Sequence, residues 1–188
     1  MLAEHLDIGD LTMEEYIGYV TLLFVAGNET TRNNITHAFH QLALHPDQYE
    51  LLKAGDDAVF DSAVDEVTRW ASPVTYMSRT VTKEVEFNGV TFKPGEKVVL
   101  HYASANRDED VFENPQQFDI TRSPNDHIAF GFGAHFCLGV HLAKLETKCL
   151  LQQLVQRIDR LELAGEPDYL RSSFIGGIKR LTISVTPK

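Results

Sequence analysis

One cysteine, a histidine and three glycines crowd into Phe130-Gly131-Phe132-Gly133-Ala134-His135-Phe136-Cys137-Leu138-Gly139. Glycine lets the backbone lie close to a flat ligand and adopt positive φ without a Cβ penalty. The helical pattern that follows aims unpaired N–H groups and a positive dipole end back at Cys137. Such a setting favours a thiolate over a thiol. A thiolate held open on a glycine-lined loop suits the axial position on haem iron, where it pushes electron density onto the metal and favours O–O cleavage. Taken alone, a lone cysteine near a helix is more often a buried, small apolar residue. Cys137 and His141 also mimic half of a zinc site, but zinc wants about four ligands in short paired spacings. No second Cys/His pair accompanies them. Cys149 falls in the apolar register of the same helical run and reads as core. The two cysteines are too far apart on that run to bridge, which fits a reducing, cytoplasmic setting.

A second constellation lies upstream. Ala26-Gly27-Asn28-Glu29-Thr30-Thr31 puts a glycine, a carboxylate and two β-branched hydroxyls inside an otherwise apolar helical face. These residues weaken a helix. A helix that breaks its own rules in this way marks a functional site more readily than a tolerated kink. Thr30 also has a bland reading, a hydroxyl bonded back to the preceding turn. Glu66-Val67-Thr68-Arg69 holds opposite charges three apart, a spacing that usually makes a weak surface pair.

The elements that must position these groups follow from pattern. Thr12 reads as an N-cap and Glu15 as its capping-box partner. Helical periodicity then runs to His45-Pro46, where proline ends it. Asp47–Ala54 and Asp61–Trp70 read as short helices, and Arg79–Phe87 as a strand. Asn88-Gly89 is a hairpin turn with Val90-Thr91-Phe92 returning, and Lys97–Leu100 reads as a third strand. Residues 106–127 are loop-like, rich in Pro, Asp and Asn. A loop of that length is functional or packed on something. Leu138–Ile158 reads as a long amphipathic helix with Leu138, Leu142, Leu145 and Cys149 on one face. Strand-like pieces close the chain around Leu161–Leu163 and Leu181–Val185. The class is α+β, mainly α with small antiparallel β-sheets.

Composition bounds the rest. The 188 residues suffice for one domain with a real core, and 43% hydrophobic with 23% charged residues is ordinary for a soluble protein. A net charge of −10 argues against nucleic acid as a partner. The apolar run Val20–Ala26 is far short of the roughly twenty residues a membrane span needs. The acidic start lacks the basic region of a signal peptide.

The spacing Phe-Gly-x-Gly-x-x-x-Cys-x-Gly resembles the haem-ligand loop of the cytochrome P-450 family, the haem-thiolate monooxygenases. Three further stretches resemble family motifs in the family's order. Residues 26–31 resemble its oxygen-activation motif, Glu66 and Arg69 its Glu-x-x-Arg pair. Ala105-Asn106-Arg107-Asp108 through Phe118-Asp119-Ile120-Thr121-Arg122 resemble its meander. Within the family the likeness is to actinobacterial enzymes that hydroxylate the terminal carbon of methyl-branched lipids and sterol side chains. Ala26–Asn33, Arg69–Val74 and Gly176-Gly177-Ile178-Lys179 carry it.

That resemblance implies the C-terminal portion of the P-450 fold over residues 1–188, with an N-terminal half of similar length elsewhere. It implies haem b (iron protoporphyrin IX) with Cys137 as the metal ligand. Phe130, Gly131, Gly133 and Gly139 would shape the loop, and Arg79 and His135 would meet the propionates. Ala26 and Gly27 would leave room over the ring, while Glu29 and Thr30 handle protons for dioxygen cleavage. Glu66 and Arg69 would form a buried structural ion pair with a third partner from the meander, Arg107 or Arg122, since Gln117 stands where many members carry arginine. Val74, Tyr76, Met77, Phe174 and Ile175 would line an apolar substrate pocket for a lipid or sterol, unless they are simply core. The implied partners are dioxygen and a ferredoxin-type redox protein. Lys144, Lys148, Arg157 and Arg160 would offer that protein a basic patch, or else form a solvated helix face. Two functions stay open: a monooxygenase, or a non-catalytic fragment with weak or no haem binding.

Overall fold

The computed structural model describes residues 4, 5 and 9–188. Helix α1 (Met13–Leu44) opens with the expected capping box. The Glu15 amide donates to Thr12 Oγ1 at 3.2 Å, and the Thr12 amide to Glu15 Oε2 at 2.9 Å. The helix runs unbroken through Gly27 and Thr30, so the tolerated kink, the bland alternative there, does not occur. Pro46 starts α2 (Pro46–Ala54) directly afterwards. Helix α3 (Asp57–Ala71) begins four residues earlier than its periodicity suggests. Asp56 caps it by accepting from the amides of Ala58 and Val59, a side-chain signal that precedes the first apolar residues.

The expected strand Arg79–Phe87 is two strands. Strand β1 (Tyr76–Thr80) pairs antiparallel with β4 (Lys97–His101), and β2 (Val85–Phe87) forms the Asn88-Gly89 hairpin with β3 (Val90–Phe92). A one-turn helix, α4 (Tyr102–Ala105), follows. Residues 106–132 contain neither helix nor strand. A short 3-10 turn (Gly133–His135) then leads to α5 (Val140–Arg157). Strand β5 (Ile158–Leu163) pairs with β8 (Ile183–Pro187), and β6 (Asp168–Tyr169) with β7 (Ile178–Arg180).

The core sits where α1, α2, α3, α5 and β5 meet. Ala38, Leu42, Leu52, Val64, Val67, Phe118, Ile120, Leu151 and Leu161 are buried there. Helix α1 contributes only its second half. From Met13 to Val25 its large apolar side chains are exposed, Phe24 at 72% and Leu22 at 61%. Helix α5 turns Val140, Leu151, Leu154 and Val155 inward. The face expected to be its core side is the outer one: Leu138 is 85% exposed, Leu142 60% and Leu145 57%, and Cys149 is exposed too. Both thiols are free. Among the described residues no helix is long and apolar enough to cross a membrane.

Candidate haem-thiolate site

The loop bearing Cys137 is held from behind. The Cys137 amide donates to the Phe130 carbonyl at 2.9 Å, closing residues 130–137 on themselves. Gly131 and Gly133 lie at φ +76° and +72°, where a side chain would be strained. At Gly131 a Cβ would make only ordinary contact with the His135 carbonyl and the Tyr102 hydroxyl, so the positive φ alone sets the demand for glycine there. Gly133 and Gly139 face open space. Cys137 itself is half-buried, flanked by Phe132 (83% exposed), Phe136 and Leu138. Exposed apolar side chains thus flank one free thiol, and no side chain stands over Gly133 or Gly139.

The Phe130 ring is gripped from two sides. His127 lies tilted at 5.8 Å between centroids, and the Lys144 ammonium sits 5.9 Å above the ring. Lys144 and His127 both converge on Asp65, with Lys144 Nζ at 2.6 Å and His127 Nε2 at 3.5 Å. Burial works against the Asp65 charge, but hydrogen bonds from His127 and Lys144 hold its carboxyl below the usual range. Asn106 ties the start of the loop to α3. Its Oδ1 accepts from the Ile128 amide at 2.8 Å, and its Nδ2 donates to Ser72 Oγ at 2.9 Å. Sequence reading placed Asn106 only in a motif and passed over Asp65 and His127, because their partners are distant in the chain.

Glu66 and Arg69 are fully buried and joined twice, at 2.7 and 2.8 Å. Their third partner is Arg122, whose Nε lies 3.2 Å from Glu66 Oε2. Asp119 N and Asn125 Nδ2 also donate to Glu66. The two guanidiniums stitch the meander through the carbonyls of Asn106, Glu113, Asn114, Pro115 and Gln117. Gln117 therefore serves with its backbone. Arg107 goes elsewhere, stacking over Trp70 at 4.9 Å and donating to the Trp70 and Ala103 carbonyls.

On α1, Glu29 accepts from Arg32 at 2.6 Å and from Asn33 at 3.2 Å, which keeps its carboxyl below the usual range. Thr30 donates to the Ala26 carbonyl at 2.6 Å, the bland arrangement. A Cβ at Gly27 would meet nothing within 4 Å. Arg79 donates only to the Ser78 carbonyl and forms no ion pair among the described residues. His135 is exposed. Tyr76 and Phe174 meet edge to face at 5.7 Å, and Val74 bridges Ile175. Met77 is 37% exposed, so none of the five pocket residues belongs to the buried core. Two cavities, of about 430 and 310 Å³, are lined by other residues. No group of three or more His, Cys, Asp or Glu able to hold a metal ion occurs among the described residues.

Of the two readings of the basic side chains, a patch or a solvated face, the patch is largely neutralised. Lys148 pairs with Asp57 and Asp61, Lys144 with Asp65, and Arg160 with Glu162. Three acids spaced four apart on α3 match the two lysines spaced four apart on α5.

This chain belongs to the cytochrome P450 family: the profile described as Cytochrome P450 matches residues 1–172. It is 44% identical to the steroid C26-monooxygenase of Rhodococcus jostii, over 97% of this chain and 38% of that protein. It is 45% identical to the methyl-branched lipid omega-hydroxylase of Mycobacterium tuberculosis, over 93% and 41%. Among solved structures, P450 OxyD of vancomycin-type antibiotic biosynthesis superposes with TM-score 0.91 at 38% identity, covering 95% of this chain and 46% of that one. CYP109E1 from Bacillus megaterium in complex with corticosterone gives 0.86 at 39%, covering 92% and 47%. The chain thus spans about two fifths of the length of the curated relatives it matches. Family membership implies haem b as the cofactor.

Proposed function

We propose that residues 1–188 form the C-terminal, haem-binding portion of a haem-thiolate monooxygenase acting on an apolar lipid or sterol side chain. The observation that carries this reading is the Cys137 loop. It presents one thiol on a self-bonded, glycine-lined turn with exposed apolar side chains on either side. These residues fit a flat, largely apolar, sulfur-ligated ring.

When bound, haem b supplies the redox chemistry that activates dioxygen and places one oxygen atom in an unactivated C–H bond, with electrons from a ferredoxin-type partner. The chain's own residues bind and orient. Cys137 would be the metal ligand; Gly131, Gly133 and Gly139 would let the loop lie flat against the ring, and Phe130 would brace it. Arg79, without a carboxylate partner among the described residues, and exposed His135 are available to the propionates. Ala26 and Gly27 leave space, and Glu29 and Thr30 hold and move protons. Glu29 stays ionised against Arg32. For Thr30 to offer its proton to a ligand, it must exchange its bond to the Ala26 carbonyl. Val74, Tyr76, Met77, Phe174 and Ile175 supply an apolar wall. The names of the relatives above, a steroid and a methyl-branched lipid hydroxylase, support that substrate class. The two free cysteines and the absence of a spanning helix among the described residues support a cytoplasmic setting.

The test uses the two thiols as each other's control. Haem is expected to protect Cys137 from alkylation while exposed Cys149 stays reactive. Equal labelling of both with haem present would contradict the assignment. A second reading, a fragment that binds haem weakly, draws on the exposed apolar stretch of α1 and predicts that equal labelling.

A further inference from the structure

The two segments that carry the candidate pocket residues lie 98 positions apart, yet they are joined into one wall. Val74 and Ile175 form an antiparallel bridge. The Thr75 amide donates to the Phe174 carbonyl at 3.0 Å, and the Gly176 amide to the Pro73 carbonyl at 2.9 Å. The Thr75 hydroxyl lies against the carbonyls of both Ser173 and Phe174. Ser172 Oγ shapes the turn by accepting from the amides of Phe174 and Ile175. Space is tight on both flanks. A Cβ at Gly176 would meet Thr75 Cγ2 at 3.3 Å, and one at Gly177 would overlap Asn33 Oδ1 of α1 at 2.6 Å.

The bonds that cross between the segments are main chain to main chain except those of the Thr75 hydroxyl. Its side chain is therefore the element of this latch that a substitution can remove while the strand pairing stays. We propose that Thr75 is a positioning residue: its hydroxyl fixes the spacing of the Val74–Tyr76 and Phe174–Ile175 walls, which the main-chain bridge joins into one apolar surface. The surface then admits the narrow end of an apolar chain in preference to a wide fused-ring face. This inference deepens the monooxygenase reading and rests on it for the identity of the pocket.

The test compares Thr75→Val, which keeps the shape and loses the hydroxyl, with Thr75→Ser, which keeps the hydroxyl. Amide hydrogen exchange at Phe174–Gly177 and dialysis binding of dodecanoic acid and androst-4-ene-3,17-dione, a fused-ring steroid without a side chain, are measured on the 188-residue chain. For Thr75→Val, exchange at these amides is expected to quicken about tenfold, with α3 amides unchanged. The preference for dodecanoic acid over the steroid is expected to fall roughly fivefold or more, and Thr75→Ser to behave as the parent. Ser172→Ala, which loosens the same turn from its other side, should reproduce the change if Thr75→Val does not fold. Unchanged exchange in Thr75→Val, an unchanged ratio despite faster exchange, or binding of neither probe by the parent would each overturn the proposal. Hydrogen exchange does not depend on haem, so failure of the monooxygenase reading leaves a distinct signature: the latch responds while Cys137 stays unprotected.

Discussion

At the scale of single residues, the weight falls on groups whose burial leaves them no alternative partner. Glu66 accepts from Arg69, Arg122, Asn125 and the Asp119 amide with no exposure to water. Glu66→Gln would leave two buried guanidiniums short of an anion, and we expect a loss of about 3–5 kcal/mol in urea unfolding. A loss under about 1 kcal/mol would mean water reaches the network. On α1, burial pushes the His37 pKa down to about 4, against a weaker opposing pull from the Gly176 backbone. Its unfolded value is near 6.5, so the unfolded chain binds the extra proton first. Stability should therefore fall as pH drops below about 6.5 and keep falling to about 4, by roughly 3 kcal/mol in all. His37→Phe should flatten that window; an unchanged pH profile would remove His37 as its source. For Thr30→Ala in the complete enzyme, oxygen reduction should uncouple from product formation and peroxide release should rise. Unchanged coupling would take Thr30 out of proton handling. Sequence alone marked Cys137, Glu66, Arg69 and Thr30, because their spacings are local. It left Arg107 and Arg122 open, because only the folded meander shows which guanidinium turns toward Glu66.

At the scale of elements, helices with local end signals were the legible ones. Thr12 and Glu15 announce α1, and Pro46 separates α2 from it. Strand β1 was misplaced because the alternation around Arg79 does not reveal a partner, and its partner β4 lies beyond an intervening hairpin. Helix α5 was placed well but turned the wrong way round, since its stripe of Leu142, Leu145 and Cys149 is as periodic as its buried stripe of Leu151, Leu154 and Val155. Periodicity reports that a face is apolar, not what covers it. The contact of β7 with α1 gives an element-scale prediction. Gly177→Ala forces a Cβ onto Asn33 and Leu170, at 2.6 and 2.7 Å. It should cost about 1–3 kcal/mol by thermal unfolding. A neutral result would show that the α1–β7 contact yields without cost.

At the scale of the whole molecule, two apolar surfaces stand open: Met13–Val25 on α1, and the Phe132–Leu138–Leu142–Leu145 face beside Cys137. Contiguous apolar surface of this kind marks a site that something else covers. The second of these includes the exposed neighbours of the cysteine in sequence, Phe136 and Leu138, and the haem reading accounts for their exposure. That is also why core packing could not be read from the sequence: a side chain destined for a ring and one destined for a neighbouring helix look alike. The central claim is that Cys137 ligates haem iron as a thiolate. It is tested most directly by the carbon-monoxide difference spectrum of the haem-loaded, dithionite-reduced chain beside Cys137→Ser. A strongly red-shifted Soret band is expected in the parent, lost in Cys137→Ser while helix content stays nearly unchanged. A histidine-like band in the parent, or a red-shifted band that survives the substitution, would contradict it.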